Sequence, residues 1–152
     1  MNIVLVEPEI PANTGNIART CAVTGSALHL VRPLGFSTAD KYLKRAGLDY
    51  WHLVEVFYYD SFQEVVEKYP ERCFYLVTTK APRSYSDILY EPDSFLVFGK
   101  ETRGLSSEIL NSSPENQIRI PMVKEARSLN LANSVAVVLF EALRQQGFGG
   151  LK

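Results

Sequence analysis

Three short runs hold most of the side chains in this chain that could do chemistry. They are Asn13-Thr14-Gly15-Asn16 with Arg19, Gly99-Lys100-Glu101-Thr102-Arg103-Gly104, and Arg127-Ser128-Leu129-Asn130. In the first, free N–H groups at a helix start and a following arginine form a site suited to an anion such as phosphate. Asn13 or Thr14 could cap that helix, and one surface arginine would need no further explanation. In the second run, Gly99-x-x-x-x-Gly104-Leu105-Ser106 has the spacing of a phosphate loop. Leucine stands where the lysine that neutralises phosphate belongs, so a triphosphate site is poorly supported. Taken alone, Glu101 reads as a loop acid and Arg103 as a solvated charge. Asn130 and Asn133 stand where capping residues of a following helix belong.

The elements that must position these runs are legible from periodicity. Ile3–Val6, Ala27–Val31, Trp51–Tyr58, Cys73–Thr78, Leu96–Phe98 and Ile118–Ile120 read as strands, the last stopped by Pro121, which has no N–H for a ladder. Helices are expected from Asn13 to about Thr24, over Thr38–Arg45 and Ser61–Tyr69, and from a Ser106 or Ser107 cap to about Leu110. A long amphipathic helix is expected from about Leu129 to Gln146, with Leu131, Val135, Val138, Leu139, Ala142 and Leu143 at helical spacing. Thr79–Ser86 reads as a polar, basic-aromatic loop. Strands alternating with helices predict an α/β fold, a mainly parallel sheet with helices on both faces. The two glycine- and serine-bearing loops would then lie at carboxyl ends of strands, where such sheets bind ligands.

Length and composition set bounds on this reading. At 152 residues and 46% hydrophobic content the chain suits one domain, 1–152, with a sizeable core. A net charge of −1 does not by itself suggest nucleic acid, since general electrostatic binding wants a basic excess, so any RNA contact must come from a local patch. Lys41, Lys44, Arg45, Lys80 and Arg83 are the candidates. Cys21 and Cys73 lack metal-like spacing and read as reduced, mostly buried thiols. His29 and His52 read as structural. The N-terminus lacks the basic flank and apolar length of a signal sequence, and no run would span a bilayer, so a cytoplasmic protein is expected.

The runs also occur together in order: P-x-N-x-G-N-I-x-R, then F-G-x-E-x-x-G-L, then I-P-M and R-S-L-N-L-A-N-S-V-A-V. That series resembles the SPOUT class of RNA methyltransferases, specifically its small TrmL (YibK-like) tRNA 2'-O-methyltransferases, over essentially the whole chain. The resemblance implies a C-terminal deep trefoil knot with S-adenosylmethionine held in it, largely by backbone groups. Carried over by motif, the cofactor positions are Val77, Gly99, Ile120 and Ser128, with Met122 and Leu129 close by. Asn13, Asn16, Glu101, Arg103 and Asn130 become supporting or substrate-facing residues. Glu101 would brace the knot or face the cofactor's cationic end, and Arg103 would meet RNA phosphate. Arg19 receives a catalytic role; because guanidinium is a very weak base, binding phosphate and orienting the hydroxyl is preferred over proton removal. Phe140 stands where related enzymes often carry tyrosine, so no hydroxyl acts there.

The resemblance further implies a homodimer with the active site shared across the interface, and the apolar faces of the first and last helices are candidates for it. The expected activity is methyl transfer to the wobble nucleotide, cytidine or a modified uridine, of leucine tRNAs, with no metal required. The competing readings are methyl transfer to another RNA such as ribosomal RNA, a non-catalytic RNA-binding protein of the same fold, and a phosphate-loop nucleotide-binding domain.

Overall fold

The computed structural model describes residues 1–37 and 50–152. Seven strands, all paired in parallel, form one sheet in the order β3-β2-β1-β6-β4-β7-β5. They are β1 (Asn2–Val6), β2 (Ala27–Val31), β3 (Val56–Tyr59), β4 (Phe74–Val77), β5 (Arg83–Ser84), β6 (Phe95–Phe98) and β7 (Gln117–Arg119). The described helices are α1 (Pro11–Thr24), α2 (Phe62–Lys68), α3 (Ser107–Ser112) and α4 (Leu131–Gln145), with one 3-10 turn at Pro114–Asn116.

Alternation along the strands divides the core into two layers, as a period of two requires. Ile3, Leu5, Leu28, Leu30, Leu96 and Phe98 pack on one side with Ile17 and Cys21 of α1 and Val135, Val138 and Leu139 of α4. Val4, Val6, Val31, Phe95 and Val97 pack on the other with Val65 of α2 and, more peripherally, Ile109 of α3. Because both faces are covered, the strands are continuous apolar runs rather than alternating ones, as in Phe95–Phe98, buried throughout. In α4 the burial of Val135, Val138, Leu139 and Leu143 is worth about 1.5–3 kcal/mol per side chain. That outweighs the few tenths by which each valine disfavours a helix, so packing makes this segment helical.

Several expected boundaries shift. The expected strand Trp51–Tyr58 contracts to Val56–Tyr59, because Leu53 and Val54 donate backward to the Tyr50 and Trp51 carbonyls and turn the chain. Within the expected loop Thr79–Ser86, Arg83 and Ser84 pair with β7, a two-residue strand too short to carry a periodic signal. The first helix begins at Pro11, whose missing N–H costs nothing in the first turn, and the cap position is Ile10 without a side-chain bond. Neither Asn13 nor Thr14 caps it; both are buried inside its first turns. Ser106 caps α3 by accepting from the Ile109 N–H at 3.3 Å. The expected helix over Thr38–Arg45, with Lys41, Lys44 and Arg45, lies outside the described residues.

The strand order reverses at β1, which has β2 on one side and β6 on the other. Loops that leave neighbouring strands at such a reversal diverge to opposite faces and open a crevice. The loops after β1 and β6 meet there.

Candidate active site

The loop after β6 is shaped by its own backbone. A Cβ on Gly99 would lie 2.0 Å from the Gly104 carbonyl carbon and 2.2 Å from the Leu105 nitrogen. Gly104 adopts φ +69°, a left-handed conformation that favours glycine, and its N–H closes the turn on the Lys100 carbonyl at 2.8 Å. Gly99 therefore serves a close approach between two parts of one loop.

That tight turn presents Glu101 to the loop after β1. One carboxylate oxygen accepts from the Glu9 N–H at 2.8 Å, and the other accepts from the Ile10 N–H at 3.1 Å and from Asn13 Nδ2 at 3.0 Å. The N–H groups of Glu9 and Ile10, which lead into α1, and the Asn13 amide of its first turn are thus held by a carboxylate distant in sequence, which anchors a helix start that has no side-chain cap. Glu9 returns the contact, its carboxylate accepting from the Thr102 N–H at 3.1 Å and the Thr102 hydroxyl at 2.9 Å. Lys100 pairs with Glu7 across the same gap.

The third loop joins through Asn130. Its Oδ1 accepts from the Ala132 and Asn133 N–H groups at 2.9 and 3.2 Å, capping α4, while its Nδ2 donates to Asn13 Oδ1 at 3.0 Å. Asn13 is therefore the middle of a relay with one polarity: it donates to Glu101 and accepts from Asn130. A carboxylate or hydroxyl there could not fill both roles with the same geometry. Charge-assisted and mutually polarised bonds of this kind hold three loops in register.

Beside the relay lies a cavity of about 540 Å³. Its walls come from the carboxyl ends of β4 (Val77, Thr78), β6 (Phe98, Gly99) and β7 (Ile120, Met122), closed by Arg127–Asn130. All six positions expected to bind cofactor, Val77, Gly99, Ile120, Met122, Ser128 and Leu129, line it, as do Asn13, Glu101, Arg103 and Asn130. Lys80 and Arg127 also reach the cavity; Lys80 is one of the residues expected in an RNA patch, and Arg127 opens the third run, where the sequence assigns it no role of its own. The Glu9–Thr102 pairing likewise left no sequence signal, since two residues that meet only through tertiary folding share no local pattern.

Arg19 and Asn16 do not line this cavity. Both are exposed on α1, and the Arg19 guanidinium sits over the Tyr50 ring, 4.7 Å from its centroid, with a long 3.5 Å contact to the hydroxyl. Two further titratable candidates, His29 and Cys21, are structural. His29 is buried between Tyr59 OH (3.0 Å) and Asn2 Oδ1 (3.2 Å), and burial, with Lys68 nearby, pulls its imidazole down to about 4. Burial pushes the Cys21 thiol up to about 12, which removes it as a nucleophile.

A parallel α/β sheet whose ligand-sized cavity is made of loops beyond β4, β6 and β7, braced by a Glu-Asn-Asn relay, defines the class of the protein. Within that class, the profile of the SpoU rRNA methylase family matches residues 1–140, and the chain belongs to that family. A relative from Escherichia coli (strain K12), named tRNA (cytidine(34)-2'-O)-methyltransferase, is 50% identical over 152 residues, covering 99% of this chain and 96% of its own. One from Listeria innocua, carrying the same name in provisional form, is 58% identical over 153 residues, covering 99% and 90%. A solved structure described as giving insight into 2-OH methylation of C/U34 on tRNA superposes with a TM-score of 0.92 at 41% identity, covering 96% of this chain and 95% of that one.

Proposed function

We propose that this chain transfers a methyl group from S-adenosylmethionine to the ribose 2'-hydroxyl of the wobble nucleotide of tRNA, cytidine or a modified uridine at position 34, with leucine tRNAs as substrates. The observation that carries this reading is the convergence of Val77, Gly99, Ile120, Met122, Ser128 and Leu129 on one cavity, in a chain half-identical end to end to a tRNA (cytidine(34)-2'-O)-methyltransferase. Residues 1–152 act as one domain, and the place of work is the cytoplasm.

The cavity suits the cofactor in size and chemistry. Its volume falls within the roughly 300–1,000 Å³ of small-molecule sites. Val77, Phe98, Leu105, Ile120 and Leu129 offer apolar walls for a base, and Thr78, Thr79, Ser128 and Ser134 offer polar groups for a ribose and an amino-acid end. When bound, S-adenosylmethionine supplies a methyl group on a positively charged sulfur, already a strong electrophile. The protein's own work is then alignment and exclusion of water. Glu101 has both carboxylate oxygens occupied by the loop after β1, so its part is to hold Asn13 and the start of α1. Lys80, Arg103 and Arg127 at the cavity supply positive charge for the RNA backbone.

Arg19 binds phosphate and orients the 2'-hydroxyl, and it does so in a homodimer. Support comes from its position: Arg19 and Asn16 lie outside the cavity of their own chain, on the solvent side of α1. The apolar faces of α1 and α4 named above as candidate interfaces are buried in the chain's own core, which corrects that expectation. The large apolar side chains that α1 and α4, packed together, leave exposed are Val23, Val137 and Phe140. These are the residues a second copy would cover.

Incubating the protein with labelled S-adenosylmethionine and tRNA from cells lacking its gene, then mapping the label by nuclease digestion, tests the proposal. Label on the wobble ribose of leucine tRNA, lost with Arg19→Ala, is expected. Label on another nucleotide would overturn the substrate, and no label despite cofactor binding would favour a non-catalytic RNA-binding protein.

A further inference from the structure

Tyr50 is distant in sequence from every motif that carries the proposed chemistry and lies outside the cavity, yet it holds the Arg19 side chain. The guanidinium carbon stands 4.7 Å from the ring centroid, within the ~6 Å reach of a cation–π contact. The hydroxyl adds a 3.5 Å contact to Nη2, long enough to contribute little. Arg19 is otherwise an exposed side chain on a helix, free to sample many rotamers. Contact with the ring restricts that freedom; Nη2 faces the Tyr50 hydroxyl, and the other guanidinium N–H groups are the ones that would grip phosphate or a ribose oxygen. Tyr50 itself is only half-buried, so its ring is not a core element whose loss would unfold the chain.

We infer that Tyr50 is a positioning residue for methyl transfer: its ring presents the Arg19 guanidinium in the orientation used on the RNA. The inference rests on the reading that Arg19 acts on the substrate. It assigns the effect to the ring rather than the hydroxyl, and to orientation of Arg19 rather than to cofactor binding, since Tyr50 does not line the cavity.

The test is a double-mutant cycle in single-turnover methyl transfer with saturating S-adenosylmethionine and tRNA, using wild type, Arg19→Ala, Tyr50→Phe, Tyr50→Leu and the double variant Arg19→Ala/Tyr50→Leu. Cofactor affinity and melting temperature are measured alongside. Tyr50→Phe should stay within about threefold of wild type, because the ring remains. Tyr50→Leu should lose more than Tyr50→Phe, about twofold to thirtyfold in rate, the range from an exposed to a desolvated cation–π contact, with cofactor affinity unchanged. On the Arg19→Ala background the same Tyr50→Leu change should cost nothing more. Equal losses on both backgrounds, or a Tyr50→Phe loss as large as that of Tyr50→Leu, would overturn the inference while leaving the role of Arg19 intact. Full activity of Arg19→Ala would instead overturn the reading beneath it.

Discussion

At the scale of single residues, the site depends on two kinds of side chain: one that must be absent and one that must have two different ends. A methyl group on Gly99 would collide with loop backbone, which has no flexible end to move aside. Overpacking of this kind costs about 1–3 kcal/mol, and the backbone obstacle puts Gly99→Ala at the upper end. The expected outcome is a lower melting temperature together with loss of cofactor binding by calorimetry. Asn130 separates two functions in one amide. Asn130→Ala should lose about 1 kcal/mol through the α4 cap alone, and more through Asn13. Asn130→Asp keeps an acceptor for the Ala132 and Asn133 N–H groups but has no donor for Asn13. Its melting temperature should therefore recover most of the alanine loss while methyl-transfer activity stays low. Equal melting temperatures for the two variants would show that the cap contributes nothing.

At the scale of elements, α1 and α4 each face two ways. Their inner stripes build the core layer that includes Ile17, Cys21, Val138 and Leu139, and their outer stripes carry Asn16 and Arg19 on one helix and Val137 and Phe140 on the other. A charge placed on the outer stripe should spare folding and break association. Val137→Glu/Phe140→Glu should melt within a few degrees of wild type yet sediment as a monomer, with methyl transfer lost. A dimer that survives both substitutions would place the interface elsewhere. Phe140 has no hydroxyl, and 44% exposure gives its ring a surface role rather than a core one.

At the scale of the whole molecule, stability is coupled to pH through a residue far from the chemistry. His29 is buried among Phe57, Tyr59 and Phe95 and hydrogen-bonded at both ring nitrogens. Its folded value, about 4, lies below the ordinary value of 6.5, so the folded chain prefers the neutral ring. The unfolded chain therefore takes up the proton first. The stabilisation is complete above pH 6.5 and is lost as pH falls from 6.5 through 4, on the order of 3 kcal/mol in all. Urea unfolding at pH 7.5 and pH 4.5 should show this loss, and His29→Gln should remove most of the difference. An unchanged difference in the glutamine variant would assign the acid sensitivity to other groups.

Much of this protein was decided locally and is therefore visible in its sequence. Apolar runs such as Phe95–Phe98, the spacing from Val135 to Leu143 and the cap at Ser106 follow from the period of each element and from turn chemistry, which depend only on neighbouring residues. The cavity-lining positions were legible too, through a long ordered motif rather than through any property of Val77 or Ile120 taken singly. Tertiary structure alone decided what those residues touch. It spent the Glu101 carboxylate on the loop after β1, made Asn13 a bridge rather than a cap, turned the absent side chain of Gly99 toward its own loop and set Arg19 against Tyr50. Each of these contacts joins groups far apart in the chain, and no local spacing records which distant partner a donor or acceptor will find once the sheet has brought its strand ends together.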